Sequence, residues 1–453
     1  MKRFIILLCT LTISGMLYGQ QDILDSYVNE GLENNLMLKQ KRITLKQSLE
    51  ALNEARGMFL PSLNVEARYS RAGGGRMIDI PIGDLMNPVN STLNELLASV
   101  GQPPSFPTDL PNENIPFLRE EEHETKLRLV QPIFNPAIYY NVKIRSQQSQ
   151  LSELDLSLFR KTLIADIKTA YLNYLKTVKV ADLYRRTRVL LEENLRVNQR
   201  LVDNGKATED AVFRAEAELS ELSRQQEEAL KNKTLAAAWF NFLLNRSLDS
   251  TIDIMTVRTF DRTFDKDVAT YQQMALQNRE EIKQLSAALA ISQHNISLSK
   301  SSYVPQITGV VDYGYQGEKY RFTEKDDYWM ASLVLNWNLF KGFQDKSRYD
   351  QAALDRKKLN FQKLELNNRI SLQVQEAYEN IRVARKSLKA TRDRLQSMKK
   401  TYRLVRKKYE QGMTPQIDYL DARTQMTSAE IGVIIAEYDL HIKSVEFDKS
   451  IGM

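Results

Sequence analysis

Along most of this chain apolar residues recur every three or four positions, and in four short stretches that period drops to two. The longer period is clearest over residues 136–202, where Leu163, Ile167, Ala170, Tyr171, Tyr174 and Val178 keep the spacing and Lys, Arg and Glu fill the other faces. After Pro136 that stretch runs 66 residues without Gly or Pro, and residues 343–411 run 69. Each predicts a single helix about 100 Å long, at 1.5 Å per residue. Such helices pack like a coiled coil rather than fill a compact globule. Both end at glycine, in Asp203-Asn204-Gly205 and Glu410-Gln411-Gly412, which suits a left-handed cap at Gly205 and Gly412. Helix then restarts through Thr208-Glu209-Asp210 and Thr414-Pro415, where Thr can cap and Pro fits the first turn. The pattern predicts two long helical hairpins with sharp tips.

The period-two stretches are Leu63, Val65, Ala67 and Tyr69; Leu127 and Leu129; Ile307, Gly309, Val311, Tyr313 and Tyr315; and Trp329, Ala331, Leu333, Leu335 and Trp337. They predict four strands, two in each half of the chain. The last has Trp329 and Trp337 at the ends of its apolar face, the aromatic girdle of a strand crossing a bilayer of about 25 Å. A sheet with one buried face gives the same alternation, so both readings fit.

The halves are copies of one another. Tyr27, Leu32, Asn34, Lys39, Gln40, Leu45 and Pro61 recur as Tyr271, Leu276, Asn278, Lys283, Gln284, Leu289 and Pro305, all at an offset of 244. Ala170-Tyr171, Gly205 and Ala215 recur as Ala377-Tyr378, Gly412 and Ala422 at an offset of 207. The first copy therefore holds 37 extra residues between Pro61 and Ala170. They fall in the proline-rich stretch 71–124 with Gly73-Gly74-Gly75, expected as a long outward loop. The organisation predicted is a first repeat over 20–250, with a β-hairpin at 60–134 and a tip near 205. A linker at 251–265, an irregular belt beside the long helices, leads to a second repeat over 266–453, with a β-hairpin at 304–340 and a tip near 412.

Composition adds a compartment. Lys2, Arg3, the apolar run from Phe4 to Leu17 and the small Gly19 read as an export signal over 1–19, too short for a membrane span of roughly 18–20 apolar residues. The only cysteine, Cys9, lies in it, after a Leu8 too large for a lipoprotein cleavage site. Without Lys2 and Arg3 the balance is 61 basic to 57 acidic residues, nearly neutral. No later run is long enough for a transmembrane helix, so a membrane could be entered only by strands. Four strands cannot close a barrel, and open edges in hydrocarbon cost several kcal/mol per unpaired group. Copies would then share a barrel, three being the smallest number that leaves room for passage.

Asp418 and Asp421 stand three apart at the start of the last helix, on one face. Threefold symmetry would gather six carboxylates around one opening, a ring that attracts cations. Acids in a first turn also simply complement the helix dipole. Residues 382–408 hold twelve Lys or Arg and one acid, Asp393, while residues 209–228 hold seven acids against Arg214 and Arg224. Complementary neighbouring helices or a solvated face explain that contrast better than nucleic acid, which export removes from reach. His123, His294 and His441 are isolated, with no metal-ligand cluster or phosphate loop near them in sequence, so no enzyme, cofactor or metal is expected.

The segments "FLPSL" and "YVPQI" before the hairpins, "QPIF" and "WNLF" after strands two and four, and the tip "YEQGMTPQIDYLDA" together resemble the outer-membrane efflux protein family, TolC-like. The resemblance covers nearly the whole chain after the signal. It implies a mostly α protein with a β-barrel portion. Long antiparallel coiled-coil helices would form an α-barrel, with four transmembrane β-strands per protomer entering a shared trimeric barrel. It implies a homotrimer in the outer membrane lipid with a periplasmic extension. Its tip would dock an inner-membrane transporter through a periplasmic adaptor, making a passive exit duct for small molecules or polypeptides. The alternative is an exported coiled-coil structural or adaptor protein without a pore. The family's tip carries two aspartates that match Asp418 and Asp421, and Tyr409 matches a latch tyrosine. Thr414 stands where the best-known latch has arginine, and Ala211 where an acid would stand, with Asp210 next to it.

Overall fold

The computed structural model describes residues 21–255 and 266–453. The expected signal at 1–19 with Cys9, and positions 256–265 of the expected linker, lie outside the described residues. In chain order the elements are α1 (Gln21–Asn34), α2 (Leu36–Gly57), β1 (Ser62–Arg71), β2 (Met77–Ile80), α3 (Ile82–Ser99), β3 (Glu113–Pro116) and β4 (Glu121–Phe134). There follow α4 (Pro136–Asp203), α5 (Glu209–Leu243), α6 (Val268–Asn278), α7 (Glu280–Ser301), β5 (Gln306–Gly317), β6 (Asp327–Asn336), α8 (Gln344–Glu410) and α9 (Gln416–Ser450). α4 has 68 residues and α8 has 67. The chain divides into two compact units, one of residues up to 52, 143–296 and 350–453, the other of 53–142 and 297–349.

The first unit is helical, and its apolar stripes meet in two related clusters. One joins Tyr27, Leu163, Ile167, Tyr171, Tyr174, Phe240 and Leu244; the other joins Tyr271, Ile370, Val374, Ile381, Phe447 and Ile451. Offsets of 244 and 207 carry one set onto the other. At the centre of the first, Tyr27, Tyr171 and Phe240 form a triangle with ring centroids 5.1–5.6 Å apart. In the second, Tyr271 meets Phe447 edge-on at 5.0 Å and Tyr378 at 6.4 Å. These offset and edge-on geometries suit aromatic quadrupoles. Tyr171 also uses its hydroxyl, which donates to the Asp253 carbonyl at 2.7 Å and accepts from the Met255 amide at 3.1 Å. A buried phenol thereby ties down the segment that follows α5.

The second unit contains two separate sheets, one of strand order β1-β4-β5-β6, the other of β2 with β3. All pairs are antiparallel, and the register places Leu63, Leu129, Val311 and Ala331 in one row and Val65, Leu127, Tyr313 and Trp329 in the next. This face is apolar and exposed, Trp329 to 75%. On the other face Arg128 holds the fully buried Asp312 with two bonds of 2.8 Å and reaches Glu66 at 3.2 Å. Beside it Lys126 pairs with Glu124 at 2.9 Å, and the Tyr328 hydroxyl donates to the same carboxylate at 2.6 Å. Gly314 makes room for this packing, since a Cβ there would lie 2.4 Å from the Thr125 carbonyl oxygen and 2.6 Å from the Lys126 Cβ.

The expectation of barrels is corrected here. The four-stranded sheet is open: β1 and β6 are its outer strands and do not pair with each other, and the two-stranded sheet is separate from it. Closure requires first and last strands to meet through tilt and stagger, which this sheet does not do. Strand alternation reports two chemically different faces, and such faces do not require a closed wall or a bilayer crossing. No helix among the described residues is long and apolar enough to cross a membrane. The stretch 71–124, expected as a loop, instead carries β2, α3 and β3. Asn87 and Asn94 of α3 fasten the returning chain, taking the Leu110 and Phe106 amides at 2.8 and 3.0 Å.

Phe240 and Phe447 are both fully buried at equivalent places in the two clusters. Truncating either to alanine removes a ring from a dense core and is expected to cost about 3–5 kcal/mol. Denaturant unfolding of the Phe240→Ala and Phe447→Ala proteins checks this, and a loss under about 1 kcal/mol at either would contradict the packing.

Candidate functional site

The two hairpin tips are built alike. Gly205 and Gly412 take φ of 66° and 72°, the left-handed region that closes a helix. The amide of Lys206 donates to the Leu201 carbonyl at 2.7 Å, and that of Met413 to the Lys408 carbonyl at 2.8 Å. Gly205 and Gly412 supply the second bond of the motif, to Val202 at 2.8 Å and Tyr409 at 2.9 Å. The restarts differ from the expected capping. Thr208 occupies the cap position of α5, but its hydroxyl bonds the Asp210 side chain rather than a backbone amide. Pro415 is itself the cap residue of α9, with Thr414 one step outside the helix.

Towards the tip the buried stripe of α4 changes character. Leu163, Ile167, Tyr171 and Tyr174 give way to Thr187, Asn194 and Asn198, interrupted by Leu191. These polar groups meet the second hairpin. The Tyr409 hydroxyl donates to Asn198 Oδ1 at 3.0 Å, while Asn198 Nδ2 donates to the Asn194 carbonyl at 2.8 Å. Tyr409 stacks on Tyr419 with centroids 4.9 Å apart and planes 16° off parallel. The hydroxyls of Tyr419 and Tyr402 lie 3.4 Å apart. Arg423, buried on α9, donates to Thr187 Oγ1 at 3.1 Å and lies 5.5 Å from the Tyr402 ring centroid. Burial pushes the Tyr409 and Tyr419 phenols above their ordinary range, so both stay neutral.

The candidate residues divide between this network and the surface. Tyr409 lies inside it. Thr414 and Asp210 do not bond Tyr409: Thr414 Oγ1 donates to Asp418 Oδ2 at 2.6 Å, and Asp210 takes the Thr208 hydroxyl and approaches Arg214 Nε at 3.4 Å. The Thr208 hydroxyl, with help from Arg214, holds the exposed Asp210 carboxyl below the usual range. Ala211 contributes its carbonyl, which accepts from Gln416 Nε2 at 2.9 Å. Asp418 and Asp421 are exposed in the first turns of α9. Asp421 accepts from Gln425 at 2.7 Å, and neither carboxylate pairs with a basic side chain among the described residues. Trp329 and Trp337 belong to the second unit, where the Trp337 indole donates to the Tyr303 carbonyl at 3.1 Å. Sequence reading did not single out Asn198, Tyr402, Tyr419, Arg423 or Thr187. The signal was present, since polar residues at core positions of a long stripe mark a place held by hydrogen bonds.

Residues 271–453 match the family model described as Outer membrane efflux protein. The whole chain aligns at 21% identity with 87% of Outer membrane protein TolC of Escherichia coli (strain K12). In structure it is similar to the CmeC outer membrane channel of Campylobacter jejuni, at TM-score 0.76 and 17% identity over 95% of this chain and 86% of that one. It is similar to the open state of the MtrE outer membrane channel of Neisseria gonorrhoeae, at TM-score 0.74 and 17% identity over 95% and 89%. The solved structures show that the chain shares the fold of these outer membrane channels, and over residues 271–453 the resemblance read from the motifs is matched by the family model. The similarity to TolC extends over the full length of this chain.

Two predictions concern the network. Tyr409→Phe keeps the stack on Tyr419 and removes the bond to Asn198, a loss of about 1 kcal/mol. Amide exchange in 198–206 and 405–414 should quicken about fivefold, and unchanged exchange would show that the bond holds nothing. Because the folded phenols are raised, their stabilisation is complete below about pH 10, the ordinary tyrosine value, and is lost as pH rises through the folded values. Alkaline titration followed by tyrosinate absorbance should therefore show late-ionising tyrosines that titrate normally once the protein is unfolded.

Proposed function

We propose that this protein is the passive exit duct of a tripartite efflux or type I secretion system. It works as a homotrimer whose helical tips meet a periplasmic adaptor and an inner-membrane transporter. The observation that carries the reading is the exposed pair Asp418 and Asp421, set on one face at the start of α9 without a basic partner among the described residues. Left uncompensated, such charges favour a cation or a binding partner of opposite sign. In three copies they become a ring of six carboxylates, a periplasmic gate that concentrates cations and binds divalent ions. The Thr414 bond to Asp418 orients one carboxylate of each pair. Tyr409 serves as the latch through Asn198, with Thr414 and Asp210 steadying the turns beside it.

The test is electrical. In planar bilayers, replacing both acids (Asp418→Ala with Asp421→Ala) should weaken block of single-channel current by divalent cations about tenfold or more, the loss of roughly 1.4 kcal/mol or more of cation affinity. Block identical to that of the unaltered protein would remove the ring from the mechanism.

A further inference from the structure

α3 carries its polar face inward. Asn87, Asn90 and Asn94 donate to the Leu110, Pro107 and Phe106 carbonyls at 3.0, 2.6 and 2.7 Å, and Asn94 Oδ1 also takes the Ser105 amide at 3.0 Å. Gly83 lies on the same side, where a Cβ would stand 2.0 Å from the Leu110 carbonyl oxygen. The apolar side chains face away. Ile82, Met86, Val89, Leu93, Leu96 and, at the cap, Val100 are between 37% and 72% exposed. A surface helix ordinarily shows the reverse, with its apolar stripe against the core.

The exposed stripe has the spacing of a coiled-coil seam. Its residues are separated by 4, 3, 4, 3 and 4 positions, the alternation of the two apolar sites of a heptad. With Leu85 beside it the stripe is about 100° wide and exposes about 700 Å² on each copy, more than the roughly 300–600 Å² of the largest patch on an ordinary monomer. Two copies that cover it remove about 1,400 Å² from water, as much as a stable interface buries.

Charge distinguishes between the surfaces that could cover it. Residues 77–116 hold Asp79, Asp84, Glu95, Asp109 and Glu113 and no Lys or Arg. A helix that lies in a lipid surface draws on basic residues beside its apolar face and on Trp or Phe within it, and α3 has neither. Asp84 and Glu95, its two charged residues, stand on the side away from the stripe, so identical copies meet without like charges between them.

We propose that α3 packs through this stripe on α3 of two further copies of this chain, forming a parallel three-helix bundle. This rests on the homotrimer reading and adds a contact outside the long helices. Threefold symmetry brings each seam residue opposite itself, which sets the helices parallel and in register. The seam has Met86, Leu93 and Val100 at one site and Ile82, Val89 and Leu96 at the other, without the β-branched and leucine order that selects two strands.

Single cysteines in the full chain, with Cys9 replaced by Ser, test the bundle in detergent, since every position used is exposed and lies off the Asn contacts. Val89→Cys and Leu96→Cys should each give a dimer band on mild oxidation, one cysteine per copy linking two of the three chains. Ser91→Cys and Glu95→Cys, on the far side, should give none. Val89→Lys with Leu96→Lys should quicken amide exchange across 82–100 about tenfold while the trimer mass persists. A trimer by mass whose seam cysteines do not link, whose far-side cysteines link equally well, or whose exchange is unmoved by the lysines overturns the bundle and leaves the homotrimer standing. Quenching of a fluorophore on Val89→Cys by brominated phosphatidylcholine in vesicles would assign the stripe to lipid and likewise overturn it. A single-copy mass for the unaltered protein overturns both.

Discussion

A helix of nearly seventy residues owes its stability to what lies beside it, because propensity alone sustains only marginal helices in water. α4 and α8 are held along one edge by stripes of Leu, Ile, Ala and Tyr, and the dense points are the clusters around Phe240 and Phe447. The duplicated sequence places the same aromatic arrangement in both halves, so one packing solution serves twice. Tyr171 departs from pure packing: its hydroxyl fixes Asp253 and Met255, while its ring completes the triangle.

The same stripe becomes polar as it nears the turn, and that change gives the tip its properties. A core of Asn194, Asn198, Thr187 and Arg423 is specific because each group needs its partner, yet it contributes less apolar burial than the Leu and Ile further along. Elements of that kind sit at the low end of local stability. The acids outside this core, Asp418 and Asp421, are bound among the described residues only by neutral side chains, so their charge is not neutralised there. In the second unit the sheet follows the opposite rule. Its charges are satisfied internally, Asp312 by Arg128 and Glu124 by Lys126 and Tyr328, and its apolar row is turned outward.

What could be read from the residues follows from the range of the forces involved. Uninterrupted helical periodicity, two glycines at equivalent places and the drop from a period of 3.6 to 2 are local signals, and α4, α8, Gly205, Gly412 and the four main strands answer to them. Capping was less legible: Thr208 had an acid two residues on to bond instead, and Pro415 took the cap position itself. The stretch 71–124 was misread because prolines and glycines advertise turns, while α3 is held by Asn side chains reaching chain that returns much later.

By itself the sequence determined the duplication, the helix spans, the turns and the alternating faces of the strands, since each depends on residues a few positions apart. Tertiary structure decided which polar residues meet at the tip, that Tyr409 bonds Asn198 and not Thr414 or Asp210, and that the sheet ends open at β1 and β6. Those outcomes depend on contacts between residues about 200 positions apart, and on whether first and last strands approach each other, which periodicity along the chain does not encode.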